Sequence, residues 1–228
     1  ASMILVFASS KGGVGKSTTC AALGAALALD GARVLILDLD QNRTVHRWSR
    51  KTAIPGLTVE AVTVPEFTTA LKTRIGAGDY DHVLVDLAGA REVTLFKAIA
   101  RADLVIIPAQ ASEPDIREAL VIAGDVRDVE ETAGRHIPYR LLLTKMYPLR
   151  TRVSDFAYAE LARLGLPMFK TVLVERVAYR EMFLNGQPPS VVERDKGAGA
   201  EIAALLDEIE AIAAAEDRSA QVQLQAAG

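Results

Sequence analysis

Residues 10–18 read Ser10-Lys11-Gly12-Gly13-Val14-Gly15-Lys16-Ser17-Thr18, directly after the apolar run Met3–Ala8 (MILVFA). Glycines let successive backbone N–H groups point at an anion, and the start of a helix adds a partial positive charge. Lys16 would reach the β- and γ-phosphates of a nucleotide, and the Ser17 hydroxyl would bind Mg²⁺. The stretch therefore predicts a strand, a phosphate loop and a helix, in that order.

The loop departs from the ordinary pattern G-x-x-x-x-G-K-[ST], because Ser10 occupies the place of the first glycine. It fits the deviant pattern K-G-G-x-x-K-[ST], in which Lys11 is a second lysine. The alternative is a glycine turn with two solvated lysines. The position between a predicted strand and a predicted helix favours the phosphate loop.

Apolar runs and helical segments alternate along the rest of the chain. The predicted strands are Met3–Ala8, Arg33–Asp38, His82–Asp86, Leu104–Pro108, Tyr139–Thr144 and Lys170–Val174, with Leu57–Val62 as an edge strand. The predicted helices are Thr18–Leu29, Pro65–Ile75, Glu92–Arg101, Asp115–Glu131, Arg152–Leu164, Ala178–Leu184 and Ala198–Ala215. Most strand runs are continuously hydrophobic, which is typical of strands buried on both faces. The pattern predicts an α/β fold: a doubly wound, mostly parallel sheet with helices on both faces.

Composition places the chain among globular proteins. Its 228 residues are 50% hydrophobic and 24% charged, enough for one domain, expected at 1–217 with a flexible tail at 218–228. The single Cys20 excludes an intrachain disulfide and a four-cysteine zinc site. We find neither a signal peptide nor an apolar run of about 18 residues, the length that spans a bilayer. A cytoplasmic protein without a membrane partner is therefore expected.

Acidic residues end two of the predicted strands. Asp38 and Asp40 are two residues apart, so they point to the same side at the carboxyl end of a strand, where α/β proteins bind ligands. Asp86 ends the run His82–Asp86 (HVLVD), which has the form of a Walker B strand. Such an aspartate would hold Mg²⁺ through water. The alternative is that these residues are ordinary acidic strand ends.

The loop, the segment Asp38-Leu39-Asp40-Gln41 and the run His82–Ala90 (HVLVDLAGA) together resemble the ParA/MinD family of deviant Walker ATPases. The resemblance extends from Met3 to about Leu205. Prolines of the family motifs D-x-D-P-Q and D-x-P-P-G are missing here. The resemblance implies an ATP hydrolase that uses ATP and ADP with Mg²⁺. It further implies that Asp40 positions the attacking water, that Asp38 supports the water shell of the metal, and that Gly89 senses the γ-phosphate.

The resemblance also implies roles for the remaining site residues. Lys11 would cross a dimer interface to the phosphates of the partner, and the ends of two late strands would flank the adenine. Thr144, Lys145 and Met146 are therefore expected near the base, although an ordinary strand end is an equal alternative. The expected catalytic residues are Lys11, Lys16 and Asp40, and the expected metal residues are Ser17, Asp38 and Asp86. The expected nucleotide-binding residues are Lys11, Gly12, Gly13, Val14, Gly15, Lys16, Ser17, Thr18, Thr144, Lys145 and Met146.

The charge is unevenly distributed along the chain. The net charge is −3, from 26 basic and 29 acidic residues, yet residues 140–196 alone hold ten basic and six acidic ones. Members of the resembled family bind DNA non-specifically through scattered basic residues, which predicts a similar role for Arg152, Arg176, Arg180 and Arg194. A solvated surface is the alternative. A second basic cluster at Arg43, Arg47, Arg50 and Lys51 could face a partner or the nucleotide, or be plain helix surface.

The function expected from this resemblance is that of a short ParA-like ATPase. It would bind nucleoid DNA non-specifically as an ATP-dependent homodimer, answer to a ParB-like activator, and segregate or position a plasmid, chromosome or protein cargo. One alternative is a VirC-like ATPase that assists conjugative DNA transfer. Others are an ATP-dependent biosynthetic ligase or synthetase and a regulator that binds nucleotide without hydrolysis.

Overall fold

The computed structural model describes residues 2–87, 89, 93–149 and 151–226. Within them a sheet forms from β1 (Met3–Phe7), β2 (Val34–Asp38), β3 (Leu57–Ala61), β4 (His82–Asp86), β5 (Leu104–Ala109) and β6 (Tyr139–Leu143). The strand order is β3-β2-β4-β1-β5-β6, and every neighbouring pair is parallel. Because β1 is central, the loop that follows it opens at the point where the strand order reverses, which is where such sheets bind ligands.

Helices connect the strands. They are α1 (Lys16–Leu29), α2 (Thr44–Ser49), α3 (Phe67–Ala77), α4 (Val93–Ile99), α5 (Glu113–Ala133), α6 (Arg152–Arg163), α7 (Val177–Asn185), α8 (Pro189–Val192) and α9 (Gly197–Ala226). The α5 helix begins sharply because the side chain of Ser112 accepts a hydrogen bond from the backbone N–H of Asp115, with Pro114 in the first turn. None of the helices in the described residues is long and apolar enough to cross a membrane.

Alternate strand residues face opposite sides of the sheet and enter two separate cores. Leu5 and Phe7 pack with α1, α2, α7 and α9 on one face. Ile4 and Val6 pack with α3, α4, α5 and α6 on the other face. The doubly wound parallel sheet predicted from the continuous apolar runs is therefore confirmed, and β3 lies at the edge of the sheet as expected.

One predicted strand is wrong. Lys170–Val174 forms no strand, and its surroundings contribute only isolated bridges at Met168 and Val174. Two of its backbone N–H groups, those of Lys170 and Thr171, donate to the carboxylate of Glu208 on α9 instead of to a neighbouring strand. A side chain from a distant helix thus replaces the strand partner at Lys170 and Thr171, whereas the N–H of Leu173 still donates to the carbonyl oxygen of Leu143 on β6 at 2.9 Å.

Two short helices and the end of the last helix are the main differences between the observed helices and the sequence-based expectation. The short helices α2 and α8 were not predicted as separate elements. The last helix was expected to end at Ala215, but α9 continues to Ala226 and so includes most of the segment expected as a tail. Alanine-rich sequence with Gln and Glu sustains a helix by intrinsic propensity, and neither Gly nor Pro occurs between Gly199 and Gly228.

Candidate nucleotide-binding site

The loop between β1 and α1 is an open cradle of backbone amides. Gly13 and Gly15 have φ values of 80° and 84°, a left-handed conformation that side chains other than glycine rarely adopt. A Cβ added at Gly12 or Gly13 would meet nothing within 4 Å, so the space over the loop is free. The first turn of α1 begins at Lys16 and directs its free N–H groups at the same space. These features fit a bound nucleotide phosphate.

A buried lysine and a buried aspartate lie beneath this cradle. Lys16 is 7% exposed, and its Nζ is 3.9 Å from Oδ1 of Asp86. Neither carboxylate oxygen of Asp86 has a hydrogen-bond partner among the described residues. Burial raises the pKa of Asp86 to about 7, and the Lys16 ammonium and Ser17 hydroxyl act in the opposite direction. A hydrated Mg²⁺ would supply the missing partners of a buried carboxylate beside a phosphate cradle. The residues therefore fit the metal.

Asp38 organises the segment that follows β2. It is in register with Asp86 on the neighbouring strand β4. Its Oδ1 accepts a hydrogen bond from the backbone N–H of Asp40 at 3.0 Å, and its Oδ2 accepts one from the N–H of His46 at 2.9 Å. Burial raises the pKa of Asp38, and these two amides oppose the rise. Asp38 therefore fixes both the turn that carries Asp40 and the start of α2, while its metal role stays a prediction.

Asp40 and Gly89 occupy the edge of the cradle. Asp40 is partly exposed, and its Oδ1 accepts a hydrogen bond from the N–H of Asn42 at 2.8 Å. A Cβ added at Gly89 would lie 3.6 Å from the carbonyl oxygen of Ser10 and 3.7 Å from the nitrogen of Gly12. The segment after β4 thus touches the phosphate loop, as a γ-phosphate sensor requires. The neighbouring residues 88 and 90 lie outside the described residues.

The two lysines of the loop lie in different environments. Whereas Lys16 is buried, the Lys11 side chain is 44% exposed, and its Nζ lies 2.6 Å from Oδ1 of Asp115 on α5. The other oxygen of Asp115 accepts a hydrogen bond from the Ser112 hydroxyl at 2.7 Å. The Ser10 hydroxyl also bonds to α5, through Glu118. The outer half of the loop is therefore fastened to α5, and Lys11 lies at its rim.

A cavity of about 290 Å³ adjoins the cradle on the side of β6. Its lining includes Gly15, Thr18, Thr144, Lys145, Val174, Glu175, Arg176, Tyr179, Arg180 and Phe183. Thr144 and Lys145 thus line a cavity next to the phosphate loop, and their contact with an adenine stays a prediction. Met146 is not in this lining, because its side chain packs in the core on the other face of the sheet. The lining residues Tyr179 and Phe183 on α7 were not predicted as site residues, although a helix was predicted at Ala178–Leu184.

Thr144 has a contact that its position at a strand end did not indicate. Its Oγ1 donates a hydrogen bond to the carbonyl oxygen of Val14 at 2.7 Å, and both groups are buried. Its side chain is also the nearest group to the Cβ that would be added at Gly15, at 3.6 Å. Thr144 therefore supports the phosphate loop from the end of β6. Lys145, the next residue, has a φ of 52° and turns away from the strand.

A carboxylate on α9 holds the outer wall of the cavity. Glu201 accepts hydrogen bonds from the backbone N–H of Val174 at 3.1 Å, from Nε of Arg176 at 2.7 Å and from the hydroxyl of Tyr179 at 3.0 Å. All three partners line the cavity, whereas Glu201 does not. Burial raises the pKa of the Tyr179 phenol, with the Glu201 charge acting in the same direction, so the phenol stays neutral and donates.

The four predicted DNA-binding arginines are not equivalent. Arg176 is engaged by Glu201, and the side chain of Arg180 is 71% exposed with a guanidinium nitrogen 3.9 Å from Glu175. Arg152 is the exposed first residue of α6, and Arg194 is exposed between α8 and α9. Arg176 and Arg180 thus lie together at the start of α7, whereas Arg152 and Arg194 lie elsewhere and have no ion pair with the described residues.

Known proteins share both the sequence and the fold. A family model described as VirC1 protein matches residues 2–193. The chain is 32% identical to Protein ParA of Rhizobium radiobacter over 213 residues, which cover 93% of this chain and 95% of that protein. It is 31% identical to Protein virC1 of the same organism, over 78% of this chain and 79% of that one. The fold matches a plasmid partition protein from Borrelia burgdorferi bound to AMPPNP, with a TM-score of 0.73, 20% identity, and 91% and 98% coverage.

Proposed function

The chain belongs to the VirC1 family and is a relative of the ParA proteins, and from this premise we propose that it is an ATP-dependent dimer that binds DNA non-specifically. It would thereby segregate or position a plasmid, chromosome or protein cargo in the cytoplasm, with a ParB-like protein as activator. The proposal builds on the activity of the family. The chain is an ATP hydrolase that uses ATP and ADP with Mg²⁺.

The site residues divide the work of hydrolysis. The loop amides and Lys16 would hold the β- and γ-phosphates, where the ammonium balances charge that develops on the transferred phosphoryl group. Ser17 and Asp86 would hold Mg²⁺, which supplies further charge neutralisation when bound. Asp40 would orient the attacking water, held in place by the turn that Asp38 organises. The buried carboxylate of Asp86 lies next to the Lys16 ammonium, whose positive charge it balances.

The observation that carries the dimer proposal is the divergence of the two lysines. One phosphate-binding lysine is buried in the cradle, and the second is exposed at the rim and paired with Asp115. A chain that hydrolysed ATP alone would need only the buried lysine at the phosphates. A lysine at that place can leave Asp115 and reach the phosphates of a partner subunit, where it would act as an arginine finger does.

Two variants test the roles of the lysines. Lys16→Ala should abolish ATP binding by calorimetry, because the phosphates lose their buried cation. Lys11→Ala should retain ATP binding but lose ATP-dependent dimers in light scattering. Dimers that form normally in Lys11→Ala would refute the cross-interface role, and unchanged ATP affinity in Lys16→Ala would refute the site itself.

The match to the VirC1 family favours a second candidate function, assistance to conjugative DNA transfer. Both functions use the same ATPase and the same DNA affinity, so they differ in the process that is lost without the protein. Deleting the gene and measuring plasmid retention and conjugation frequency separately distinguishes them. Loss of retention alone supports partition, and loss of transfer alone supports the conjugative role.

A further inference from the structure

The densest cluster of positive charge follows Asp40, with four cations within residues 43–51. Residues 41–59 contain Arg43, Arg47, Arg50 and Lys51 and no aspartate or glutamate, in a chain whose net charge is −3. By comparison, residues 140–196 mix ten basic with six acidic side chains. A run of cations without interspersed acids produces a positive potential. Glu66 faces Arg43, and hydrogen bonds from Thr63 together with the charge of Arg43 lower the pKa of its carboxyl group. The uncompensated charge therefore belongs to Arg47 and Arg50.

Three of these cations lie on or beside α2. Arg47 is inside the helix, Arg50 is its C-cap, and Arg43 is its N-cap in a left-handed conformation. Arg47 and Arg50 are three residues apart, a spacing that places side chains on the same helix face. Val45 and Trp48 are buried on the opposite face. All three arginines are exposed, and we call them the α2 arginine face (Arg43, Arg47, Arg50). Among the described residues, the side chains of Arg47 and Arg50 have no ion-pair or hydrogen-bond partner.

Contacts with α7 and with Asp38 hold the backbone of α2 in place. The Trp48 ring packs edge-on against Phe183 of α7, with ring centres 6.5 Å apart. Lys51 donates from Nζ to the backbone carbonyl of Phe183 at 2.7 Å, so this fourth cation already has an intramolecular hydrogen-bond partner. The start of α2 is held by the hydrogen bond from the N–H of His46 to Asp38. A cationic face on a fixed backbone loses little entropy when it binds.

We propose that the α2 arginine face contacts the phosphates of nucleic acid. The proposal rests on the DNA binding proposed above and names a contact surface other than Arg152, Arg176, Arg180 and Arg194. Guanidinium groups bind phosphate in a bidentate manner, and phosphate contacts need no apolar anchor. A protein partner would require one, yet residues 41–59 expose no large hydrophobic side chain. The surface therefore fits a polyanion better than an acidic protein.

The test compares three double variants that each remove two arginines. Arg47→Gln with Arg50→Gln changes the α2 arginine face, and Arg152→Gln with Arg194→Gln changes the predicted late surface. Arg127→Gln with Arg218→Gln is the matched control on α5 and α9, away from both. Fluorescence anisotropy with two short duplexes of unrelated sequence, in ATP and Mg²⁺ over a range of salt, measures the affinity and its salt dependence. Calorimetry with ATP and a thermal melt establish that each variant is folded and loaded.

The expected effect follows from counterion release. Each lost phosphate contact reduces the magnitude of the slope of log K against log[salt] by about 0.9. The slope of the α2 variant should therefore be smaller in magnitude by about 1.8 for each subunit that contacts DNA. At about 0.1 M salt the same relation gives a roughly 60-fold weaker affinity. The control should bind as the wild type does, and Arg47→Lys with Arg50→Lys should keep the slope because the charge is retained.

Separate outcomes distinguish the failure of this inference from that of the proposed function. Wild-type protein that binds neither duplex in any nucleotide state would overturn DNA binding as a whole. Wild-type binding with an unchanged slope in the α2 variant would overturn only the α2 surface. If only the variant of Arg152 and Arg194 changed the slope, the α2 surface would be overturned as well. An α2 variant that binds DNA normally but no longer responds to an activating protein would replace nucleic acid with an acidic protein as the partner.

Discussion

Thr144→Val is the substitution whose effect the structure defines most sharply. Valine has nearly the shape of threonine but lacks the hydroxyl that donates to the carbonyl of Val14 at 2.7 Å. Thr144 is 2% exposed and Val14 is equally buried, so water cannot replace the lost donor. The change therefore leaves an unsatisfied acceptor in the phosphate loop without creating a cavity. Thr144→Ser is the matched control, because serine keeps the hydroxyl.

The magnitude follows from the buried acceptor. Leaving a buried carbonyl without its donor costs about 1–3 kcal/mol. For a protein of this size, each kcal/mol lowers the melting temperature by about 2–4 °C. If the loop instead moves to find a new donor, the cost appears in the nucleotide affinity, where about 1.4 kcal/mol corresponds to a factor of ten. The serine variant should lose less in both measurements.

The assay combines thermal unfolding with two ligands. Calorimetry with ADP and Mg²⁺ reports the whole site, and calorimetry with pyrophosphate and Mg²⁺ reports the phosphate loop without a base. If Thr144 supports the loop, its replacement should lower the affinity for both ligands. A threonine that contacts only the adenine, as its strand-end position suggested, weakens ADP alone.

Two results would refute the reasoning about Thr144. Equal stability and equal affinity in Thr144→Val and the wild type would mean that the bond to Val14 contributes nothing. A serine variant as damaged as the valine variant would mean that the methyl group matters and the hydroxyl does not. A loss confined to ADP would restore the base contact expected from the sequence.

The remaining predictions concern Asp40 and Asp81. Asp40→Ala should hold the ATP-bound dimer and stop phosphate release, because the attacking water loses its orienting carboxylate; normal phosphate release from the variant would contradict this role. Hydrogen bonds from Arg33 lower the pKa of Asp81 from 3.8 to about 2, so the folded state favours the ionised form. This contribution is present above about pH 4 and is lost as the pH falls through 2. The stability difference between the wild type and Asp81→Asn should therefore shrink over that interval, and a difference constant from pH 6 to pH 2 would count against the pairing.

The parts of the fold that could be predicted are those with a local signal. The loop of residues 10–18 specifies its own backbone through glycines, and β1, β2 and β4 are apolar runs long enough to be recognised alone. Asp38 and Asp86 lie side by side because each ends such a run, and the parallel register aligns the ends. Each of these features depends on residues that are adjacent in the chain.

The parts that could not be predicted depend on distant side chains. The apolar run Lys170–Val174 looked like a strand, but Glu201 and Glu208 on α9 accept hydrogen bonds from three of its backbone N–H groups. In the sequence, these two glutamates look like the exposed face of an amphipathic helix. The bond from Thr144 to Val14 spans 130 residues of sequence and leaves no periodic pattern. The pairing of Lys11 with Asp115 is equally non-local.

The two glutamates on α9 also set an order of events during biosynthesis. The phosphate loop is translated early, but the wall of the neighbouring cavity around Val174 is fixed by Glu201 and the preceding turn by Glu208. Those carboxylates leave the ribosome only after the rest of the sheet and its other helices. A nascent chain can therefore form the loop of backbone amides long before the cavity beside it has its outer wall. Completion of the nucleotide site coincides with the docking of α9 onto the finished sheet.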